Sequence, residues 1–310
     1  MARRPDFFII GAPKAGTTSL YEYLTGHPQV YMSPTKEPTY FARDMRVGPQ
    51  PRLEHPTDEA RYLASFAGAG DAIRVGEAST TYLRSADAPA LVRAFSPDAR
   101  IVVSLREPIA MMHALHDHRI DNRNENITDF ADALGADDDR RLGRRLPPAN
   151  NPAGAVYRDK ARYAEQLERW LAQFARERVH VIVFDDLKAD PGGTFRKLLE
   201  FLEVDSSYRP AAFTVHNPRH RERRLLRALV DSAPGRFASR RVLPALVGNA
   251  RRERLAQRFR QSRLARRQVP VEPIDPDLRA ALQAELRPDV ERLSELLGRD
   301  MAALWFDGER

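Results

Sequence analysis

An apolar run that leads into a glycine-rich loop, followed by an amphipathic segment, limits the folds open to this chain. Phe7–Ile10 form the apolar run, Gly11–Gly16 form the loop, and the amphipathic segment continues to residue 24. A strand, a glycine loop and a helix N-terminus in this order cradle a phosphate or sulfate group with backbone N–H groups. We therefore expect an anion-binding loop within an α/β fold.

The loop departs from the sequence that binds nucleoside triphosphates. That pattern, G-x-x-x-x-G-K-[ST], places a lysine directly after the second glycine, where it reaches the β- and γ-phosphates. Thr17 fills this place here, and the lysine is Lys14, inside the loop. A P-loop kinase that uses ATP stays an alternative, because Asp185 and Asp186 follow an apolar run and could serve as the magnesium-binding aspartate.

Further apolar runs alternate with helical patterns along the chain. Strands are predicted at 73–76, 101–105 and 179–184, and helices at 18–24, 86–95, 109–120, 159–176, 194–201 and 278–297. This alternation indicates a parallel sheet covered by helices. The predicted fold class is α/β, with a P-loop-type parallel β-sheet flanked by helices and a helical C-terminal extension.

The length of 310 residues suits a single domain. We expect its core at 5–225 and an arginine-rich helical C-terminal part at 226–310. Residues 43–59 and 136–154 combine prolines with charge runs and are predicted to be irregular. The second of these segments is predicted to be a mobile lid or an insertion.

The chain has a formal net charge of +7 and no cysteine. The lack of cysteine excludes disulfides and thiolate metal sites, and the positive charge favours anionic ligands. Arginines crowd residues 219–267; they suit a solvated helical face or a contact zone for an anionic cofactor or lipid headgroup. Nucleic acid is disfavoured because no aromatic platform accompanies them. The apolar run at 7–10 is too short for a signal peptide or a membrane span, so we expect a cytoplasmic protein, with peripheral membrane contact left open.

The loop Pro13-Lys14-Ala15-Gly16-Thr17-Thr18 resembles the 5′-phosphosulfate loop of sulfotransferases that use 3′-phosphoadenosine 5′-phosphosulfate (PAPS). That family's loop reads roughly [P/G]-K-x-G-[T/S]-[T/S]. The resemblance extends over most of residues 5–225 and implies that PAPS is bound by Lys14, Ala15, Gly16, Thr17 and Thr18. It also implies a catalytic role for Lys14, because a cation must neutralise the charge that grows on the bridging oxygen.

The strand at 101–105 ends in Arg106-Glu107-Pro108, similar to the family's Arg-x-Pro strand, whose arginine holds the 3′-phosphate together with a later serine. The resemblance implies this role for Arg106, and the carboxyl end of a strand is where open α/β sheets bind ligands. Ala114 stands in place of the serine. His113 or a basic loop could compensate, and we expect one arginine of that loop to contact the 3′-phosphate: Arg219, Arg221 or Arg224.

Lys36-Glu37-Pro38 resembles the K-E-P segment of heparan-type and many bacterial sulfotransferases, where the glutamate is the catalytic base. Sulfuryl transfer needs a base, because the acceptor hydroxyl loses its proton as it attacks sulfur. The resemblance implies that Glu37 is this base and that Lys36 contacts the acceptor. An exposed loop carboxylate paired with Lys36 is the alternative. Thr39 replaces the histidine of the heparan-type motif, which leaves the identity of the acceptor open.

The segment Gly76-Glu77-Ala78-Ser79-Thr80-Thr81-Tyr82 looks like the family's G-E-x-[S/T]-x-x-Y loop at a strand end. We expect this loop to face the acceptor, with Glu77 and Ser79 binding it. A helix-capping role for Ser79 or Thr80 fits the same pattern equally well.

These motifs predict a PAPS-dependent sulfotransferase similar to the heparan-type or carbohydrate branch. The enzyme would move the sulfuryl group of PAPS to a hydroxyl or amino group of a carbohydrate, glycolipid or small metabolite, release PAP and need no metal. His113, His116 and His118 do not suit a metal site, because only side chains three or four apart share a helix face; we expect them to line the cofactor helix or its surface. A catalytically degenerate PAP- or PAPS-binding protein is the second alternative, which Ala114 keeps open. The acceptor and the oligomeric state are not predicted.

Overall fold

A five-stranded parallel β-sheet forms the centre of the fold. The computed structural model describes residues 3–45, 58–147, 152–214 and 273–308, and the backbone alone of 221–222 and 266–267. The sheet has the order β2-β3-β1-β4-β5, and each neighbouring pair is parallel. Its strands are β1 (Phe7–Gly11), β2 (Val30–Met32), β3 (Arg74–Ala78), β4 (Arg100–Leu105) and β5 (Val179–Val183). The predicted parallel α/β sheet is confirmed.

The strand β1 lies in the middle of the sheet, and all five of its residues are buried. Burial on both faces explains why its sequence is a continuous apolar run. Phe7 pairs with Gly76 of β3, where a Cβ atom would lie only 2.2 Å from the Phe7 ring. Glycine at position 76 therefore lets β3 pair with β1, and the carboxyl ends of β1, β3 and β4 meet at one edge.

Helices cover the sheet, and the predicted helices at 18–24, 86–95, 109–120 and 194–201 overlap α1, α3, α4 and α11. The described α-helices are α1 (Thr17–Thr25), α2 (Glu59–Ala64), α3 (Ala88–Phe95), α4 (Pro108–Asp121), α5 (Phe130–Gly135), α6 (Asp137–Arg141), α7 (Pro152–Ala155), α8 (Arg158–Ala161), α9 (Tyr163–Leu171), α10 (Phe184–Ala189), α11 (Pro191–Phe201) and α12 (Pro276–Leu297). Short 3₁₀-helices occur at Arg43–Met45, Tyr82–Arg84 and Arg176–Arg178.

The single long helix predicted at 159–176 is wrong. Helix α8 ends at Ala161, and Arg162, with a ψ of 74°, separates it from α9. The apolar spacing did identify a buried face, since Tyr163 and Trp170 are both buried, but it does not reveal a break in the backbone. The strand predicted to end at Phe184 stops one residue earlier, where α10 begins. The strand β2 was not predicted, because its three residues are too few to show a period.

The segment 136–154, predicted to be a lid or an insertion, contains α6 and most of α7, and its residues 148–151 lie outside the described part. Arg140 of α6 forms a fully buried ion pair with Glu125 at 2.8 Å. Asp137 accepts hydrogen bonds at 3.0 Å from the backbone N–H groups of Tyr157 and Arg158. These contacts fasten α6 to Glu125 and to the residues that follow α7, and the role of a lid stays a prediction.

The long helix α12 confirms the predicted helical C-terminal extension. The chain divides into two compact units, 1–216 with 275–310, and 217–274. For the second unit the structure describes one antiparallel pair, Arg221–Glu222 with Arg266–Arg267. The other arginines that crowd residues 219–267 lie outside the described residues. The single domain and its core at 5–225 stay predictions. Among the helices that the structure describes, none is both long enough and apolar enough to cross a bilayer.

Candidate functional site

The loop between β1 and α1 has the geometry of an anion cradle. Lys14 and Gly16 have φ angles of 60° and 83°, both left-handed, and α1 begins directly afterwards at Thr17. Gly16 occupies the N-cap, so no side chain caps the first N–H groups of α1. Such groups bind a negatively charged ligand readily. The structure thus places the predicted loop residues, Lys14 to Thr18, at a helix N-terminus suited to an anion.

The carboxyl end of β4 supports this loop from the neighbouring strand. Ser104 Oγ donates a hydrogen bond of 2.5 Å to the carbonyl oxygen of Ala15. Arg106 donates from Nη1 to the carbonyl oxygen of Lys14 at 3.1 Å, and its guanidinium carbon lies 5.1 Å from the centre of the Phe184 ring. The structure therefore brings Arg106 to the anion-binding loop, and its contact with the 3′-phosphate stays a prediction. The aromatic support from Phe184 was missed, because that residue was assigned to a strand.

Ala114 is buried within α4, so the place of the family serine carries no hydroxyl. His113 next to it packs on Phe130, with 5.0 Å between the ring centres. A contact of His113 with the 3′-phosphate, in place of the missing serine hydroxyl, stays a prediction. Of the three arginines predicted to help, Arg219 and Arg224 lie outside the described residues, and only the backbone of Arg221 is described.

Glu37 is held against the end of β3 by Thr80. The Thr80 N–H donates to Glu37 Oε2 at 2.8 Å, and the Thr80 hydroxyl lies 3.2 Å from both carboxylate oxygens. The Glu37 N–H donates to the carbonyl oxygen of Ala78 at 2.9 Å. Lys36 donates from Nζ to the hydroxyl of Thr18 at 2.5 Å. The Glu37 carboxylate is thus positioned by Thr80 and not by Lys36, whose hydrogen bond instead joins this segment to the anion-binding loop.

The environment of these two charged groups shifts both of their pKa values. Burial raises the pKa of Glu37, and the hydrogen bonds from Thr80 together with the charge of Lys36 oppose that shift. Burial lowers the pKa of Lys36, while the charges of Glu37 and Glu22 oppose it. A carboxylate with a raised pKa is a stronger proton acceptor, as a general base requires.

Glu77 and Ser79 are both fully buried, which does not fit their predicted contact with an acceptor. Ser79 Oγ donates to Glu77 Oε2 at 2.7 Å and accepts the backbone N–H of Thr39 at 3.0 Å. The side chain of Ser79 does not cap a helix either, since the N-cap of the following 3₁₀-helix is Thr81 and no side chain caps it. The strand β3 extends to Ala78, beyond its predicted end at 76, and Glu77 within it is buried.

His118, which the sequence analysis expects on the cofactor helix or its surface, lies in the last turn of α4. The residue is exposed, but the neighbouring protein and the charges of Lys14, Arg119 and Lys36 disfavour its protonated form and lower its pKa to about 4. Asn122 lies one turn further along and contacts the ring at 3.0 Å. The four-residue spacing from Ala114 was the available signal, because it places His118 on the same helix face. His116, by contrast, makes a 2.8 Å hydrogen bond with the carbonyl oxygen of Ile127 and belongs to the packing.

The aspartates that a kinase would use for magnesium are engaged with the C-terminal residues. Arg299 forms a two-pronged ion pair with Asp186, at 2.5 and 2.9 Å. The Trp305 indole N–H donates to Asp185 at 3.2 Å. These contacts give both aspartates a role in holding the C-terminal segment. Within the described ranges, no group of three or more His, Asp or Glu side chains could hold a metal ion.

The residues present fit PAPS. A helix N-terminus without a side-chain cap and the ammonium group of Lys14 suit the 5′-phosphosulfate. The guanidinium of Arg106 suits a phosphate with its fork of N–H donors. The hydrogen bond between Arg106 and the Lys14 carbonyl keeps these two binding groups on one edge of the sheet, as a ligand with two anionic ends requires.

Comparisons with known proteins agree with this geometry. Mouse carbohydrate sulfotransferase 15 is 28% identical over 250 residues, which covers 64% of this chain and 44% of that protein. Mouse heparan sulfate glucosamine 3-O-sulfotransferase 3A1 is 26% identical over 203 residues, with 64% and 45% covered. The chain therefore spans less than half the length of these two relatives. The crystal structure of a sulfotransferase from Alicyclobacillus acidocaldarius matches with a TM-score of 0.72 at 27% identity, over 97% of this chain and 98% of that chain.

A family model, described as the sulfotransferase domain, matches residues 4–217. This match covers more than half of the 310 residues and includes the anion-binding loop, Glu37 and Arg106. The chain therefore belongs to the sulfotransferase domain family.

Proposed function

We propose that this protein transfers the sulfuryl group of PAPS to a hydroxyl or amino group of a carbohydrate-type acceptor. The observation that carries the proposal is the hydrogen bond from Lys36 to Thr18. This bond fixes the segment that contains Glu37 against the loop that contains Lys14. A carboxylate with a raised pKa and an ammonium group therefore border the same cradle, and these are the two groups that sulfuryl transfer needs.

Each residue has a defined task in this mechanism. When bound, PAPS supplies the sulfuryl group, and PAP is the product. Lys14 places its ammonium charge beside the bridging oxygen, where negative charge increases as the bond to sulfur breaks. Glu37 takes the proton from the acceptor hydroxyl as the new bond to sulfur forms. Thr80 orients the Glu37 carboxylate for this purpose, and Arg106 binds the 3′-phosphate.

The acceptor class follows from the relatives, whose names specify carbohydrate and heparan sulfate glucosamine acceptors. We include a glycolipid or a small hydroxylated metabolite among the proposed acceptors. We further propose that the protein is cytoplasmic and that catalysis needs no metal. Lys36, which is hydrogen-bonded to Thr18, and His118, whose pKa is lowered in part by the charges of Lys14 and Lys36, are proposed to face the acceptor. The degenerate PAP-binding alternative rests on Ala114 alone, because Glu37 and Lys14 are both present.

The test compares the wild type with Glu37→Gln, using labelled PAPS, a panel of sugar and glycolipid acceptors, and calorimetry with PAP. Gln cannot accept the proton, so turnover should fall by about 10²- to 10⁴-fold, while affinity for PAP stays unchanged. Glu177→Gln, which replaces an exposed glutamate, is the matched control. A wild type that binds neither PAP nor PAPS, or a Glu37→Gln variant with full turnover, would refute the proposal. A wild type that binds PAP but transfers nothing to any acceptor would support the degenerate binder.

A further inference from the structure

Glu77 lies at the centre of a buried hydroxyl cluster that the reaction does not use. Its Oε1 atom accepts hydrogen bonds from the hydroxyls of Tyr62 at 2.7 Å and Tyr82 at 2.8 Å. Its Oε2 atom accepts one from Ser79 at 2.7 Å. A buried carboxylate without a cation is costly unless it is well hydrogen-bonded. Here three hydroxyls provide those bonds, and no Lys or Arg forms a salt bridge with Glu77 among the described side chains.

Two of these hydroxyls also bind the segment that carries Glu37. Ser79 Oγ accepts the backbone N–H of Thr39 at 3.0 Å. The Tyr82 hydroxyl oxygen accepts the backbone N–H of Phe41 at 3.3 Å. A hydroxyl has one hydrogen to donate, and an ionised carboxylate only accepts. In its ionised form Glu77 therefore takes the hydrogens of Ser79 and Tyr82 and leaves their oxygens free to accept the two amides.

The segment held in this way has an unfavourable backbone. Glu37 and Thr39 have φ angles of 58° and 51°. Residues with a Cβ atom rarely adopt this left-handed conformation, and the β-branched Thr39 is least suited to it. Such conformations persist where surrounding contacts impose them. The amides of Thr39 and Phe41, bound to the Glu77 cluster, are two such contacts.

We propose that Glu77 is a positioning residue, which holds residues 37–41 through Ser79 and Tyr82 so that the Glu37 carboxylate is presented to the acceptor. The inference rests on the proposed function of Glu37 as the base. It assigns Glu77 no contact with the acceptor, in agreement with its complete burial. It further distinguishes the two tyrosines, because Tyr82 reaches the segment through the amide of Phe41, whereas the described hydrogen bond of the Tyr62 hydroxyl goes to Glu77 alone.

The test measures kcat, KM and PAP affinity for Glu77→Gln in the wild-type and in the Glu37→Gln background. Gln keeps one accepting oxygen for the two tyrosine hydroxyls, but its amide nitrogen donates where Oε2 accepted, so the bond to Ser79 reverses and the segment shifts. A misplaced catalytic group of this kind lowers kcat by about 10²-fold, with PAP affinity unchanged. In the Glu37→Gln background the same substitution should cause little further loss, because the group that it positions is already gone. Equal fold-losses in both backgrounds would overturn the inference.

Tyr82→Phe and Tyr62→Phe form a matched pair that keeps the test valid if Glu77→Gln does not fold. Each removes one hydroxyl from Glu77 Oε1, but only Tyr82→Phe also releases the Phe41 amide. We expect kcat to fall for Tyr82→Phe and to stay near the wild-type value for Tyr62→Phe. Equal values of kcat for the two variants would overturn the inference. Full turnover by Glu37→Gln would instead overturn the proposed function, so the two failures are distinguishable.

Discussion

Replacing Glu77 by Gln should change how the stability of this protein depends on pH. Burial raises the pKa of Glu77 from 4.5 to about 7, against the hydrogen bonds from Tyr62, Ser79 and Tyr82, and the charge of Glu37 adds to the rise. The folded protein therefore keeps a proton on Glu77 over a pH range in which the unfolded chain has released it. Gln carries no titratable proton and removes this difference.

The expected magnitude follows from the pKa shift. Between pH 4.5 and about 7 the folded state binds more protons at this position than the unfolded state, so the free energy of unfolding decreases as the pH rises. Each pKa unit corresponds to about 1.4 kcal/mol. The rise from 4.5 to about 7 thus lowers the wild-type free energy of unfolding by about 3 kcal/mol across this window, relative to Glu77→Gln.

The assay is chemical denaturation at half-unit steps from pH 4 to pH 8, on the wild type, Glu77→Gln and the control Glu295→Gln. The quantity to plot is the free energy of unfolding of the wild type minus that of each variant. For Glu77→Gln this difference should fall by about 3 kcal/mol between pH 4.5 and 7 and stay flat above that range. Glu295 is exposed, and its variant controls for the loss of one acidic group. A flat or rising difference for Glu77→Gln would refute the reasoning.

Three further predictions concern the loop, α6 and the C-terminal segment. Gly16→Ala should lower the free energy of unfolding by about 1–3 kcal/mol and weaken PAP binding, because φ is +83° and the new Cβ would lie 2.9 Å from a leucine side chain. Gly135→Ala is the control, because its new Cβ meets open space. Thermal unfolding and calorimetry with PAP check this, and equal effects of the two substitutions would contradict it. Arg140→Ala should lower the free energy of unfolding, measured by urea denaturation, by about 3–5 kcal/mol, because it leaves the buried carboxylate of Glu125 without its ion-pair partner. A decrease below about 1 kcal/mol would be inconsistent with a buried pair. Asp186→Asn should lower the free energy of unfolding by less than about 1 kcal/mol, because the ion pair of Asp186 with Arg299 is exposed. Sulfuryl transfer by this variant should be unchanged with or without magnesium. If the substitution instead removed a magnesium-dependent phosphorylation activity, the kinase alternative would be favoured.

The sequence alone determined the features that depend on neighbouring residues. The apolar run, the glycine loop and the start of α1 are continuous in the chain, so their pattern predicted both the strand and the cradle. Arg106 was predictable for the same reason, because the end of a buried strand fixes where the next side chain lies. The motifs that point to Glu37 and Lys14 are also local.

Only the tertiary structure decided which polar groups face the cradle and which are buried. Glu77 stands in a motif that suggested contact with the acceptor, yet hydroxyls from α2 and from the turn after β3 enclose it. Asp186 follows a strand as a magnesium ligand would, yet Arg299 reaches it from 113 residues further along the chain. The pKa of His118 is lowered by the charges of Lys14 and Lys36, which lie about 80 to 100 residues away in sequence. Burial and electrostatic environment depend on residues distant in sequence, and no local pattern contains that information.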